Sequence, residues 1–423
     1  MSSKHERTAA GVRRLRSEAE ALDAAAEAAE EIETIARDPA NNGTIPRRQA
    51  GLLSEHGLTA IGVPRAFGGL GASVATVVET VRVVSVADGG VGQILQIHNV
   101  MLRGLFNGFA DDVRDRLVQD VLAGRRLGNA LAETGGKKRK TSITRVERQP
   151  DGRLLLNGRK IFATGAYLAE WVSVSADSDD GPVNVLVHRD TPGLTLHDDW
   201  HAFGQTNSVS GSITFDQVVV DERFVPRRGS DSSLPGRTGL TWPQILHAAI
   251  DTGIARGALQ AATRYLRDEA RPWVDSDVDV AAQEHHIIKR IGEYAVAVRA
   301  AESLLKDAAH LFDRHKAEPD DKPLQDELIL AVASARAQSD YASLFVASDM
   351  FSLLGASASY TKWNLDRFWR NARVHTTHDP IRWRLHHVGN YYLNDVDPVE
   401  YGAAQRQARQ QRLQQAEAGR RVA

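Results

Sequence analysis

The sequence predicts an α+β fold, mainly α, in which a helical zone, a short-stranded β-module and a second helical zone follow one another along 423 residues. Three observations carry this reading. Apolar residues recur at three- and four-residue steps towards both ends of the chain. Asp-Gly and Asn-Gly dipeptides and short β-type runs fill the middle. No long helices alternate with those runs, which excludes a doubly wound parallel sheet.

In the first zone, residues 1–125, Val12, Leu15, Ala19, Leu22, Ala26 and Ala29 form one apolar stripe, and Ala and Glu supply helix propensity. Asn41-Asn42-Gly43, Pro46, Gly57 and Pro64 break the pattern before GGLGAS (68–73). Helix resumes over 73–86 and 91–109. The second zone, 126–238, contains DGRLLLNGRKIFATG (151–165), whose Asp151-Gly152 and Asn157-Gly158 predict two-residue hairpin turns. Strands are expected over 153–156 and 159–162, and WVSVSA, PVNVLVH, GSITF and QVVV extend them into an antiparallel small sheet or barrel. In the third zone, 239–396, Ile245, Ala248, Ala249, Thr252, Ala255 and Leu259 make one helix face, and Gly253 and Gly257 permit close approach. Long amphipathic stretches over 287–311 and 328–354, joined by short loops, predict an antiparallel bundle. The polar tail, 397–423, is expected to fray or to wrap a partner.

With 52 basic and 54 acidic residues and a net charge of -2, no global field attracts nucleic acid or a membrane. The run Lys137, Lys138, Arg139, Lys140 reads as a solvated loop. Cysteine is absent, which excludes disulfides, thiolate catalysis and cysteine-ligated metals. No signal-peptide-like apolar stretch opens the chain, and no run approaches the roughly 20 apolar residues of a membrane span. A cytoplasmic protein is the expectation.

Titratable nitrogen concentrates in RNARVHTTHDPIRWRLHHVGNYYLN, with four histidines and four arginines. Three readings of HTTHD (375–379) stand. A metal site would need further ligands that the sequence does not place. Structural histidines would be satisfied by carbonyls and by Asp379. An active-site wall would set His378 and Asp379, as an acid/base pair, beside an anion clamp of Arg370, Arg373 and Arg382. The wall is the expectation, without a metal. Thr164, in FATGA, is either a plain strand residue or a hydroxyl donor to a flat cofactor. Arg271, in EARPW, either neutralises a helix C-terminus or grips a phosphate. His98, in QILQIHNVML, is a satisfied core residue or a site residue. GGLGAS is read as a turn, and no Walker-type loop occurs.

Taken together, GVPRAFGGLGAS, LNGRKIFATGA and SGSITFDQVVVDERFVP resemble the acyl-CoA dehydrogenase superfamily over nearly the whole chain. That resemblance implies an N-terminal α-helical domain, a central antiparallel β-barrel domain and a C-terminal four-helix bundle. ILHAAIDTGIARGAL, EARPWVD, DDWHAFGQT and RNARVHTTHDPIRWRLHHVGN resemble its flavin-dependent monooxygenase branch, that of dibenzothiophene and sulfur-acquisition monooxygenases. The branch implies a two-component enzyme that takes FMNH2 and O2, acts through a C4a-peroxyflavin, and oxygenates a small organosulfur substrate. FMN would arrive reduced from a separate NAD(P)H-dependent flavin reductase. FAD is the second choice, because LLGASAS (353–359) lacks the double glycine of the dehydrogenases. By resemblance His378 faces the oxygen-reacting edge of the flavin, Asp379 holds its tautomer, and His98 assists across the pocket. Asn129 and Thr164 lie beside the isoalloxazine, Trp200 packs over it or over the substrate, and Arg271 takes the phosphate. Gly355 and Ala356 reach the cofactor from a neighbouring subunit of a homodimer or homotetramer, and Arg370 adds a cation. Two other readings remain: an FAD-dependent acyl-CoA dehydrogenase and a silent ligand-binding scaffold. The dehydrogenase base falls at Asp379, which is a methylene shorter, preceded by His378 and followed by Pro380.

Overall fold

The computed structural model describes residues 11–134, 144–226 and 237–399. The basic run at 137–140 and the tail beyond 399 lie outside the described residues. The chain opens with α1 (Glu18–Arg37), α2 (Arg47–Glu55), α3 (Val74–Ala87), α4 (Gly89–Gly108) and α5 (Asp111–Leu122). Ser17 starts α1 by accepting the Glu20 amide, and Asp88 starts α4 by accepting the Gly90 and Val91 amides. The buried face of α1 is Ala21, Ala24, Ala25, Ala28, Ile32 and Ala36 rather than the expected stripe. Val12 and Leu15 precede the cap, and Ala19 and Ala26 are exposed. Alanine occurs on every side of this helix, so its own pattern does not choose a face. Packing against α3 chooses it.

Seven strands follow: β1 (Leu127–Ala130), β2 (Arg145–Arg148), β3 (Leu154–Lys160), β4 (Trp171–Ser178), β5 (Gly181–His188), β6 (Leu194–Leu196) and β7 (Ile213–Val220). β2, β3, β7 and β6 pair antiparallel in that order, and β4 pairs antiparallel with β5. The free edge of β4 is met in parallel by β1 and, at its far end, by β2. The curled sheet is therefore mixed, where an antiparallel one was expected. It closes around Val146, Leu156, Val174, Val185, Phe215 and Val218. Asp151-Gly152 turns between β2 and β3, but Asn157-Gly158 does not turn. It lies inside β3 at a bulge against β7, where Asn157 Oδ1 accepts the Gln217 amide at 2.7 Å. A Cβ on Gly158 would come within 2.5 Å of Thr144 Oγ1, so glycine serves close approach there.

The last zone holds α6 (Thr241–Asp268), α7 (His285–Ala317), α8 (Lys322–Asp349), the single turn α9 (Phe351–Leu354), α10 (Asp366–His375) and α11 (Arg382–Asn394). α6, α7 and α8 pack side by side, and α10 and α11 lie on α8. The whole predicted face of α6 is buried. Gly253 and Gly257 press on the Arg82 and Val86 carbonyls of α3, where a Cβ would sit at 2.5 and 2.2 Å. On α7, Asp313 accepts the Val74 and Ala75 amides at the start of α3 and so ties the two helical zones together. One apolar core runs through α1, α3, α4 and the C-terminal helices. Among the described residues no helix is long and apolar enough to cross a membrane.

Candidate active site

Where the three zones meet lies a cavity of about 860 Å³, within the range of small-molecule sites. Its wall comes from α4, β1, the segment after β3, β4, β5, the loop before β7, the first turns of α6, and the end of α10 with the turn that follows. None of the described residues on this wall is Asp, Glu, Lys or Arg. Its titratable groups are His247, His375 and His378. Three bulky residues nearby hold positive φ: Phe162 at 52°, Gln205 at 53° and Val209 at 45°. Left-handed backbone is costly for a valine or phenylalanine, so the surroundings must impose it. They do: the Ala163 amide donates to the Gly211 carbonyl, the Gly165 amide to that of Ser208, and Gly204 is pressed against the Arg370 carbonyl.

The histidines are organised from α6 and α8. His247 and Asp251 stand one turn apart on α6. Asp251 accepts His375 Nδ1 at 2.6 Å with one oxygen and Arg336 with the other, and all three side chains are buried. His375 Nε2 lies 2.9 Å from His247 Nδ1, and His378 packs against His247 with ring centroids 4.3 Å apart and planes tilted by 31°. Burial pushes the Asp251 carboxyl up, but His375 and Arg336 outweigh it and hold the group below its ordinary value. Burial, then His378 and His375, push His247 well down. His378 opens on the cavity with protein crowding its other sides, and burial followed by the charges of His375 and Arg336 lowers it to about 4.

Of the residues expected from sequence, Asn129, Thr164, Trp200 and His378 line this one cavity. Thr164 shares a hydroxyl pair with Ser210 at 2.9 Å, and Trp200 meets Phe162 edge-on at 5.9 Å. The expected bond between Asp379 and His378 is not formed; Asp379 accepts Arg384 instead, Nε at 3.1 Å. His98 is off the wall and fully buried. Its Nε2 donates to the Thr59 carbonyl at 2.7 Å, its Nδ1 accepts the Leu127 amide at 3.1 Å, and burial lowers it to about 4. Both ring nitrogens are spent on backbone, which removes it from oxygen or substrate contact. Arg271, Gly355 and Ala356 are exposed and off the wall. Arg370 is also off the wall and donates to Asp366 at 2.8 Å and to Asn364. Sequence reasoning missed His247, Asp251 and Arg336. The signal was the i, i+4 pair His247 and Asp251 on α6, off the apolar face of Ile245, Ala248, Ala249, Thr252, Ala255 and Leu259.

Asn129 Oδ1, Gln205 Oε1 and Gln244 Oε1 are buried in or beside this wall without a protein partner. Acceptors left this way are costly unless a bound group donates to them. A flat heterocycle edged with N–H groups, as in an isoalloxazine, fits beside Trp200 and Thr164. Asn129, Gln205 and Thr164 are the residues that would hold it.

Models of the acyl-CoA dehydrogenase N-terminal, middle and C-terminal domains match residues 17–125, 129–218 and 245–383. The chain is 31% identical to dibenzothiophene monooxygenase of Rhodococcus qingshengii over 386 residues, which covers 86% of this chain and 90% of that protein. It is 29% identical to the probable FMNH2-dependent monooxygenase SfnC of Pseudomonas putida, across 90% of this chain and 96% of that one. Among solved structures it superposes on FMN-bound TdsC from Paenibacillus sp. A11-2 with a TM-score of 0.83, at 28% identity, covering 90% of this chain and 98% of that chain.

Proposed function

The chain belongs to the acyl-CoA dehydrogenase superfamily, in its flavin-dependent monooxygenase branch, and we propose that it oxygenates a small organosulfur compound with FMNH2 and O2. The observation that carries this reading over acyl-CoA oxidation is the character of the cavity wall. A dehydrogenase needs a carboxylate base facing the flavin, whereas this wall presents imidazoles, and Asp379 is committed to Arg384. Proton transfer of that kind tolerates little misplacement.

Reduced FMN, when bound, supplies two electrons and the activation of O2. The chain's own residues do the rest. Asn129, Gln205 and Thr164 would hold the ring edge, Trp200 would bound its face, and the apolar wall of Ile97, Val100 and Leu105 would keep water from the oxygen-transfer step. His378 opens on the cavity as a neutral imidazole able to donate to or accept from the transferred oxygen. The phosphate finds no cation on the described wall. Arg271, with Gly355 and Ala356 of a second copy, would take it, which makes a homodimer or homotetramer the working form. Light scattering on the purified protein checks the assembly, and an Arg271→Ala variant with unchanged FMN affinity would end that assignment. An NAD(P)H-dependent flavin reductase is the source of FMNH2, and a cytoplasmic location suits that supply.

The deciding experiment mixes the protein, anaerobic with photoreduced FMN, into 18O2-saturated buffer containing a sulfide or sulfone. One labelled oxygen in the product, and a flavin phase that free FMNH2 does not show, is the expected outcome. Reoxidation identical to free FMNH2, together with bleaching of bound FAD by an acyl-CoA, would replace this reading with the dehydrogenase.

A further inference from the structure

We propose that Asp251, His375 and His247 form a proton relay, in which His247 Nε2 takes a proton from a cavity ligand and the positive charge comes to rest on His375 beside Asp251. The inference rests on the monooxygenase reading only for what the ligand is. Its geometry belongs to the chain alone.

The direction of the relay follows from donor and acceptor counting. An ionised carboxylate only accepts, so the 2.6 Å contact puts a proton on His375 Nδ1. Asp251 stays ionised because Arg336, itself buried, spends its one bond on the other oxygen and leaves Nε and Nη2 without partners. The 2.9 Å contact between His375 Nε2 and His247 Nδ1 then has two arrangements. With His375 neutral, His247 Nδ1–H donates and His247 Nε2 offers a lone pair. With His375 cationic, His375 Nε2–H donates and His247 Nε2 carries the hydrogen. The two differ by one proton added at His247 Nε2, the ring nitrogen left over on a residue of the cavity wall.

The step balances. A ligand X–H bond breaks and Nε2–H forms on His247. The Nδ1–H bond of His247 breaks and Nε2–H forms on His375. The ligand gains a negative charge, His375 a positive one, and Asp251 is unchanged. Run backwards, the same step returns the proton, so the chain is restored after each turnover.

The surrounding charges favour this end point. His247 faces His378 and His375, and beyond them Arg336 of α8 and Arg384 of α11, and this cationic company with burial disfavours charge on its own ring. His375 touches the Asp251 carboxylate directly. Asp340 of α8, beside Arg336 and Arg373, faces the same cluster and is raised to about 6 by burial and by Asp251. A transferred proton therefore passes through His247 and stays on His375. This explains why three buried polar residues stand in line where one imidazole on the wall would suffice for a hydrogen bond.

The test is the tautomer state of the full-length protein labelled with 15N-histidine, read by two-bond 15N–1H correlation without flavin. At pH 8, His247 is expected as the Nδ1–H tautomer with bare Nε2. On acidification it switches to Nε2–H in the same step that makes His375 doubly protonated. His247 found as Nε2–H at pH 8, or His375 protonating without the switch, overturns the relay. His247→Gln retains a donor to His375 but no path, and is expected to lower product per reduced flavin about a hundredfold with FMN affinity unchanged. Undiminished yield would also overturn it. Should that variant fail to fold, the wild-type spectra decide alone. Because they need neither flavin nor turnover, their outcome is independent of whether the organosulfur reading stands.

Discussion

Two His–Asp pairs draw their histidines from one short segment of this fold, and they behave oppositely. His378 and Asp379 are adjacent in sequence, yet one opens on the cavity and the other turns away to Arg384. His375 and Asp251 are 124 positions apart, yet they meet at 2.6 Å with no exposed surface. Neighbours along a chain point their side chains in different directions, whereas burial forces distant polar groups to find each other. The adjacent pair makes the rim and the distant pair the foundation.

Stability measurements break this comparison most directly at Asp251. Asp251→Asn leaves the Arg336 cation buried without its counter-charge, and a loss of about 3 to 5 kcal/mol in denaturant unfolding is expected. A loss under about 1 kcal/mol would make the distant pair no more structural than the rim.

This contrast also sets what the sequence could tell. The element order, the buried face of α6 and the close approach of Gly253 and Gly257 were legible, because apolar period and glycine position report burial directly. The face of α1 was not, because alanine on all sides leaves the choice to α3. Asn157-Gly158 has the composition of a turn but sits in a bulge, a matter of tertiary pairing with Gln217. Asn129, Thr164, Trp200 and His378, named through motif resemblance, line one cavity. Asp379 was misassigned to its sequence neighbour, and Arg336 sat on a helix where nothing local marked it as buried.

His98 sharpens the comparison next, since it resembles His375 in burial but lacks a carboxylate. Its folded-state value of about 4 lies below the ordinary 6.5, so the unfolded chain binds a proton that the native state refuses between those values. Stability present above pH 6.5 is therefore lost as pH falls towards 4, by about 3 kcal/mol from this residue. His98→Gln, which can still donate to Thr59 and accept from Leu127, is expected to flatten that part of the stability–pH curve while leaving product yield near wild type. An unchanged curve would show that His98 is not the buried neutral group described.

Asp379→Asn breaks only a partly exposed ion pair with Arg384, and the expected cost is up to about 1 kcal/mol. Loss of product as complete as in a His378 variant would restore Asp379 as the partner of that imidazole.

The smallest effect on folding is expected at His378, and there the comparison divides stability from chemistry. His378 has no side-chain hydrogen bond to the described residues, and it packs at a tilt against His247. His378→Ala should therefore change stability by no more than about 0.5 kcal/mol. Yet it removes the imidazole that opens on the cavity, so oxygen transfer should be abolished while FMN binding, assigned above to other residues, is largely retained. The flavin would still be reoxidised, with its electrons released as hydrogen peroxide instead of product. Normal product yield from this variant would take His378 out of the reaction and leave His247 as the group through which the buried pair acts on the ligand.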